Sequence, residues 1–284
     1  MSDKALVSIG MPSYNGERYI RKALDSLLAQ DYESFEIIIS DNASTDATLQ
    51  ICTDYAARDS RISVHTHPCN VGALANFKTV LEMAKGKYFM WAAVDDYWLP
   101  NFVDVMVKEL ETHPEAGVAM CAVNRVSEDG TYYDTVRFTG ALDPNTKSYY
   151  QMLMGIMSPK KHKYNLFIYG LFRTSLLQKA VLSLPEVPRV DRLLMGQMAL
   201  AAHFRWVDHV LHVRTVHNQP THVQLSDEEF NKIWDEDKCV LWKSIVATGQ
   251  MLWRSTIIPM HRKIYIPAAI LSFSLLHIRL KLRS

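Results

Sequence analysis

Tyr88-Phe89-Met90-Trp91-Ala92-Ala93-Val94-Asp95-Asp96 is the stretch on which the fold turns. An uninterrupted apolar run this short reads as a buried strand, and it stops abruptly on two adjacent carboxylates. The spacing after it predicts a helix over 101–112. Working back toward the N-terminus, the same alternation repeats. Residues 6–11 read as a strand stopped by Pro12, followed by a helix over 17–29 with apolar positions 20, 23, 24, 27 and 28 on one face. Residues 35–40 read as a second strand ending at Asp41, with Ser44 as the cap of the next helix, and 62–65 as a third, followed by a helix over about 74–84. Strands alternating with helices at this interval require crossover connections, hence a mostly parallel, doubly wound α/β sheet with helices on both faces. Ligands of such sheets bind beyond the carboxyl ends of the strands. That rule singles out residues 12–15, 41–46, 70–72 and the pair Asp95-Asp96.

From Val118 the pattern changes. Two strand-like runs flank the turn Glu128-Asp129-Gly130, weaker helical stretches follow near 148–157 and 175–184, and a helix after Asp191 precedes a strand over 207–216. Residues 226–249 read as one long helix capped at Ser226. The division expected is therefore one unit over 1–225, with a donor half over about 5–125 and an acceptor half over about 126–225, and a C-terminal helical region over 226–284.

Composition bounds the partners. The 284 residues are 48% hydrophobic and 21% charged, a globular profile that excludes a disordered chain, and a net charge of +1 gives no reason to expect nucleic acid. Charge is unevenly spread: no Asp or Glu follows Asp237, where eight of the 31 basic residues lie, so the preceding part carries 23 basic against 30 acidic residues. Four scattered cysteines suggest neither a disulfide framework nor a zinc site. With no apolar leader at the N-terminus, a cytoplasmic location is expected. Residues 264–278 are largely apolar with Arg262-Lys263 before and Arg279, Lys281 and Arg283 after. The stretch is short of the roughly 20 residues that span a bilayer as a helix. Peripheral contact of 254–284 with the inner face of the cell membrane is one expectation; docking on the protein itself, or on a second subunit, is the other.

Adjacent carboxylates at a strand end repel one another unless a cation offsets them. Mn or Mg suits Asp95 and Asp96, because these ions take oxygen ligands and are completed by water and substrate phosphates. The plainer reading is that the pair opens the helix at 101, with its dipole favouring the charge. Asp41 can likewise accept hydrogen bonds from a nucleoside.

The succession Pro12-Ser13-Tyr14-Asn15, Asp41-Asn42-Ala43-Ser44-Thr45-Asp46, Asn70-Val71-Gly72 and Gly86-Lys87-Tyr88, leading to Asp95-Asp96-Tyr97-Trp98-Leu99-Pro100, resembles the donor half of family 2 glycosyltransferases with the GT-A fold. The clear resemblance covers about 5–125 and a looser one extends to about 222. It implies an inverting transferase that moves a sugar from a nucleotide-diphosphate donor to a saccharide or lipid-linked saccharide acceptor in surface polysaccharide biosynthesis. By that resemblance Pro12, Tyr14, Asn15, Asp41, Asn70 and Gly72 contact the nucleotide, and Asp95 and Asp96 hold the metal and diphosphate. Arg214 and His217 approach the diphosphate, and Asp191 is the general base. The sequence departs from the family pattern at Ala93 and Val94, where acids are common, at Ala75, where a basic residue is common, and at Val190, where the base usually has an acidic neighbour. Those departures keep open a second reading, a catalytically degenerate nucleotide-sugar-binding or membrane scaffolding protein.

Overall fold

The computed structural model describes residues 5–138, 143–157, 162–182, 184, 190–217 and 249–267. Strands β1 (Val7–Ser13), β2 (Phe35–Asp41), β3 (Ile62–Thr66) and β4 (Tyr88–Trp91) alternate with helices α1 (Ile20–Leu28), α2 (Thr48–Ala56) and α3 (Ala73–Glu82). β5 (Tyr97–Trp98), α4 (Phe102–Thr112), β6 (Ala116–Ser127), β7 (Tyr132–Val136) and α5 (Tyr149–Met157) follow. A 3-10 segment (His162–Tyr169), β8 (Leu171–Arg173), α6 (Thr174–Val181), α7 (Val190–Ala201) and β9 (His203–Val216) complete the order.

The strands form one sheet in the order β3-β2-β1-β4-β8-β6-β9-β5, with β7 also paired to β6. The parallel part read from the sequence is β3-β2-β1-β4. Beyond it the sheet is mixed: β8 runs antiparallel to both β4 and β6, β9 parallel to β6, and β5 antiparallel to β9. Helices cover both faces, as expected. Val7, Ile9, Met11, Ile37 and Ile39 pack with Leu24, Ile51, Phe102 and Met106 on one side. Ile38, Phe89 and Trp91 pack with Val80, Leu177, Leu194 and Met198 on the other. Period-two alternation along the strands divides their apolar side chains between the two layers.

Register sets the crevice. β1 pairs with β2 so that Ser13 lies opposite Asp41, and the residues after both strands emerge side by side. Close backbone packing is needed under β4: a Cβ on Gly86 would sit 2.6 Å from the Ser8 nitrogen and 2.7 Å from the Leu6 carbonyl oxygen.

The long helix expected over 226–249 lies outside the described residues except at its final position. Of the C-terminal tail, residues 249–267 are described, and they pack against the protein. Met251, Leu252, Ile258 and Ile266 are buried in the second layer. Gln197 of α7 donates to the Ser255 hydroxyl at 2.6 Å. Arg262 donates to the carbonyls of Leu200 and Ala201 at the end of α7 and lies over the Tyr149 ring. Among the described residues no helix is long and apolar enough to cross a membrane.

Candidate active site

The first two crossover loops are clamped together. Asn15, at φ 50, accepts through Oδ1 from the Thr45 amide at 2.8 Å, and its own amide donates to the Ser44 hydroxyl at 3.0 Å. Asn tolerates this left-handed backbone better than most residues. The Gly16 amide donates to the Thr48 hydroxyl, and the Ala47 amide to Glu17. The expected cap is therefore displaced: Ser44 serves Asn15, and Asp46 accepts from the Thr48 amide at 2.9 Å in the first turn of α2. Pro12 and Tyr14 are half-buried at the mouth of this clamp.

Asp41 ends β2 and is 1% exposed. Its Oδ2 accepts from the Ser44 amide at 3.0 Å, while Oδ1 is buried without a hydrogen-bond partner. A buried acceptor in that condition is costly. Beside it, Asn70 Oδ1 accepts from Asn42 Nδ2 and from the Gly72 amide, each at 2.9 Å. Gly72 holds φ +83 ahead of α3, a conformation that L side chains rarely adopt.

Asp95 and Asp96 part company. Asp96 is 2% exposed, and both of its oxygens are engaged: Oδ2 with His212 Nε2 at 2.9 Å and Oδ1 with the Thr215 amide at 3.1 Å. His212 is fully buried and stacked on Trp98. Asp95 takes a different partner, its Oδ2 lying 2.6 Å from His217 Nε2. His217 Nδ1 lies 2.9 Å from Glu128 Oε1, and Glu128 Oε2 accepts from Arg18 at 2.8 Å. Burial first, and then the charge of Asp96, push the Asp95 carboxyl above its ordinary value, with His217 opposing them. Burial alone would lower His217, but the carboxylates of Asp95 and Glu128 outweigh it and raise the imidazole.

The charge of His217 is therefore favoured in the fold. Its stabilisation is complete below the unfolded-chain value near ~6.5 and is lost as pH rises through the higher folded value. Urea denaturation of the metal-free protein at a series of pH values should show a loss of stability across that window, and His217→Gln should abolish that part of the slope. A slope identical in the two proteins would contradict this.

A third group of side chains gathers around Tyr169. The antiparallel pairing of β8 with β4, Phe89 opposite Phe172, carries Tyr169 to the end of β4 from which Asp95 follows. The Arg214 guanidinium lies 5.6 Å from its ring centroid and the His212 ring 6.3 Å away. Burial pushes the phenol up to about 12, assisted by Asp96, Asp95 and Asp191 and opposed by Arg214. Asp191, half-buried in the first turn of α7, thus bears on the same aromatic side chain as the Asp95 pair.

The donor set answers the expectation of a metal held by both carboxylates. Asp96 is not available, since its two oxygens already satisfy buried donors and it anchors β5 to β9. Asp95 presents a carboxylate oxygen, which Mn or Mg accepts when phosphates and water complete the shell, and His217 a nitrogen, which suits Mn and not the harder Mg. Among the described residues no group of three or more His, Cys, Asp or Glu side chains could hold a metal. Glu128, Tyr169, His212 and Thr215 carry the site alongside the residues read from sequence.

Comparison with known proteins places this geometry. A Mycobacterium tuberculosis protein of uncharacterized function is 45% identical over 127 residues, 44% of this chain and 37% of that one. Bacillus subtilis TuaG, named for teichuronic acid biosynthesis, is 36% identical over 133 residues, 46% of this chain and 52% of TuaG. The matched stretches thus span about a third to a half of these relatives. Among solved structures, Staphylococcus aureus TarS 1-349 with UDP superposes with a TM-score of 0.63 at 21% identity, covering 92% of this chain and 69% of that one. The mannosyltransferase PcManGT of Pyrobaculum calidifontis, with GDP-Man and Mn2+, gives 0.52 at 19%, covering 96% and 76%. These likenesses establish a GT-A-like α/β fold. The family model described as Glycosyl transferase family 2 matches residues 8–179, well over half of the sequence, and the chain belongs to that family.

Proposed function

We propose that this chain is an inverting glycosyltransferase that moves a sugar from a nucleoside-diphosphate donor to a hydroxyl of a saccharide or lipid-linked saccharide in surface polysaccharide assembly. The observation that carries the donor half of this reading is Asp41 Oδ1, buried and without a partner at the carboxyl end of β2. An N–H of the nucleobase supplies the missing donor. Pro12, Tyr14 and Asn15 line one side of that place, and Asn70 and Gly72 the other. TarS has been solved with UDP and with UDP-GlcNAc, and PcManGT with GDP-Man and Mn2+, which supports a nucleotide sugar in this crevice.

When bound, a divalent cation supplies positive charge beside the diphosphate. Asp95 and His217 would hold it. Asp191 takes the proton of the acceptor hydroxyl as that oxygen bonds to the anomeric carbon. The bond from that carbon to the diphosphate oxygen breaks, and its electron pair remains on the departing nucleoside diphosphate, next to Arg214. A single displacement from the face opposite the leaving group inverts the anomeric centre.

Asp41→Asn tests the donor reading. An asparagine keeps an oxygen for the Ser44 amide but turns the free acceptor into an NH2 group. Calorimetry should show affinity for UDP or GDP falling by about tenfold or more, as expected when a charged hydrogen bond of ~1.5–3 kcal/mol is lost. Unchanged affinity for both nucleotides would remove Asp41 from the site.

Contact with a lipid surface belongs to the same reading. Trp253, Met260 and Ile264 are exposed in the described tail beside Arg254 and Lys263, a mixture suited to anionic headgroups. Flotation of the full chain should recover it with anionic vesicles and not with neutral ones. Equal recovery with both would count against this contact.

A further inference from the structure

Glu128 is the first residue of the turn between β6 and β7, yet the hydrogen bonds that close this turn are made without it. The Gly130 amide donates to the Ser127 carbonyl, the Thr131 amide and the Ser127 hydroxyl donate to Asp129, and the Ser127 amide donates to the Thr131 carbonyl. Gly130 supplies the positive φ that the reversal needs. Both oxygens of Glu128 point elsewhere, to His217 Nδ1 and to Arg18, residues 89 and 110 positions away in sequence. A carboxylate free of its own turn and committed to two distant cations calls for a reason outside the hairpin.

That reason lies at the other end of the imidazole. A histidine has one nitrogen to give as a ligand, and the partner of the second nitrogen decides which one it is. Nε2 hydrogen-bonds Asp95 Oδ2; with Nδ1 donating to Glu128, Nε2 is the nitrogen that can give its lone pair to a cation in place of that proton. The ring is met on a further side by Tyr19, edge-on with ring centroids 5.3 Å apart, and Arg18 lies 5.1 Å from the centroid of Tyr19. The outer partners of Glu128 thus come from the β1–α1 connection, the same loop that carries Asn15.

We propose that Glu128 is a positioning residue: its carboxylate fixes the tautomer and ring orientation of His217, so that Nε2 and the Asp95 carboxylate together face one divalent cation. This rests on the metal reading given under the proposed function. Glu128 touches neither cation nor sugar and acts only through His217, while its bond to Arg18 ties that orientation to the placement of the donor loop.

The test is binding of manganese to the full chain, alone and with UDP, followed by electron paramagnetic resonance of free Mn2+. Glu128→Ala should weaken manganese affinity about 10–100-fold, the range seen when an outer partner of a metal-bound histidine is removed. Glu128→Gln, whose carbonyl oxygen still accepts from Nδ1–H, should restore most of it. Thermal unfolding of both variants should match the wild type, because the turn keeps its own hydrogen bonds. Wild-type affinity in Glu128→Ala overturns the proposal, as does equal weakening in the two variants, which would make the charge rather than the hydrogen bond responsible. His217→Ala and Asp95→Asn separate the two levels: if both bind manganese as the wild type does, or if the wild type binds none, the metal reading itself fails and the role of Glu128 with it.

Discussion

Asp191→Asn is expected to lower turnover by about 10²–10⁴-fold, the contribution of a positioned general base, while donor affinity stays unchanged. Asparagine is isosteric and cannot take the acceptor proton. The carboxylate stands in the first turn of α7. Its charge acts on the Tyr169 phenol together with those of Asp95 and Asp96. Arg192 and Gln197 of the same helix are buried, and α7 is tied at its far end by Arg262, so its first turn is held by the core rather than by a loose loop. A coupled assay of nucleoside diphosphate release in the presence of acceptor, alongside calorimetry with the donor, reads both quantities. Full turnover in Asp191→Asn would exclude it as the base.

The second large effect separates two neighbours that look alike in the sequence. Asp95→Asn should lose metal-supported turnover by about 100-fold or more, since a cation beside the developing charge is worth several kcal/mol, and it should remain folded. Asp96→Ala should instead weaken the fold. It strands His212 Nε2 and the Thr215 amide inside the protein, at about 1–3 kcal/mol for each donor left without an acceptor. Urea denaturation measures the second effect and the manganese dependence of turnover the first. If Asp96→Ala were as stable as the wild type, the buried anchor between β5 and β9 would be misassigned. If Asp95→Asn kept metal-supported turnover, the cation would sit elsewhere.

The donor-side fold was legible because its signals are local and contiguous. Apolar runs at 6–11, 35–40 and 88–94, each followed by a helical period, require only the pattern of neighbouring residues. They fell within a few positions of β1, β2 and β4. The far half was harder for a physical reason. β5 and β8 are two and three residues long, too short for any period to show, and whether a strand pairs parallel or antiparallel depends on partners about 50 to 115 positions away. The run from Val118 could be read as strand but not as the hub that pairs with β7, β8 and β9.

Site residues divide in the same way. Asp41, Asn70 and Asp95 could be proposed because they lie at or just beyond the carboxyl ends of strands. That consecutive carboxylates take different partners was not readable at Asp95-Asp96, since the outcome depends on His212 and Thr215 reaching Asp96 from β9. Ser44 could cap a helix, and only the left-handed Asn15 beside it shows why Asp46 serves instead. Glu128 gave no signal, because a glutamate in a Glu-Asp-Gly turn is fully explained by solvent exposure until Arg18 and His217 are seen at its two oxygens. The tail was read as either lipid-facing or docked, and its described part packs on α7 while leaving Trp253, Met260 and Ile264 outward.

Release of nucleoside diphosphate from a panel of UDP- and GDP-sugars, measured with and without manganese, tests the central claim most directly. At least one donor should be turned over in a manganese-dependent way, and that turnover should vanish in Asp95→Asn. A panel in which donors bind yet none is cleaved, with the metal or without it, would contradict a transferase and leave a nucleotide-sugar-binding protein in its place.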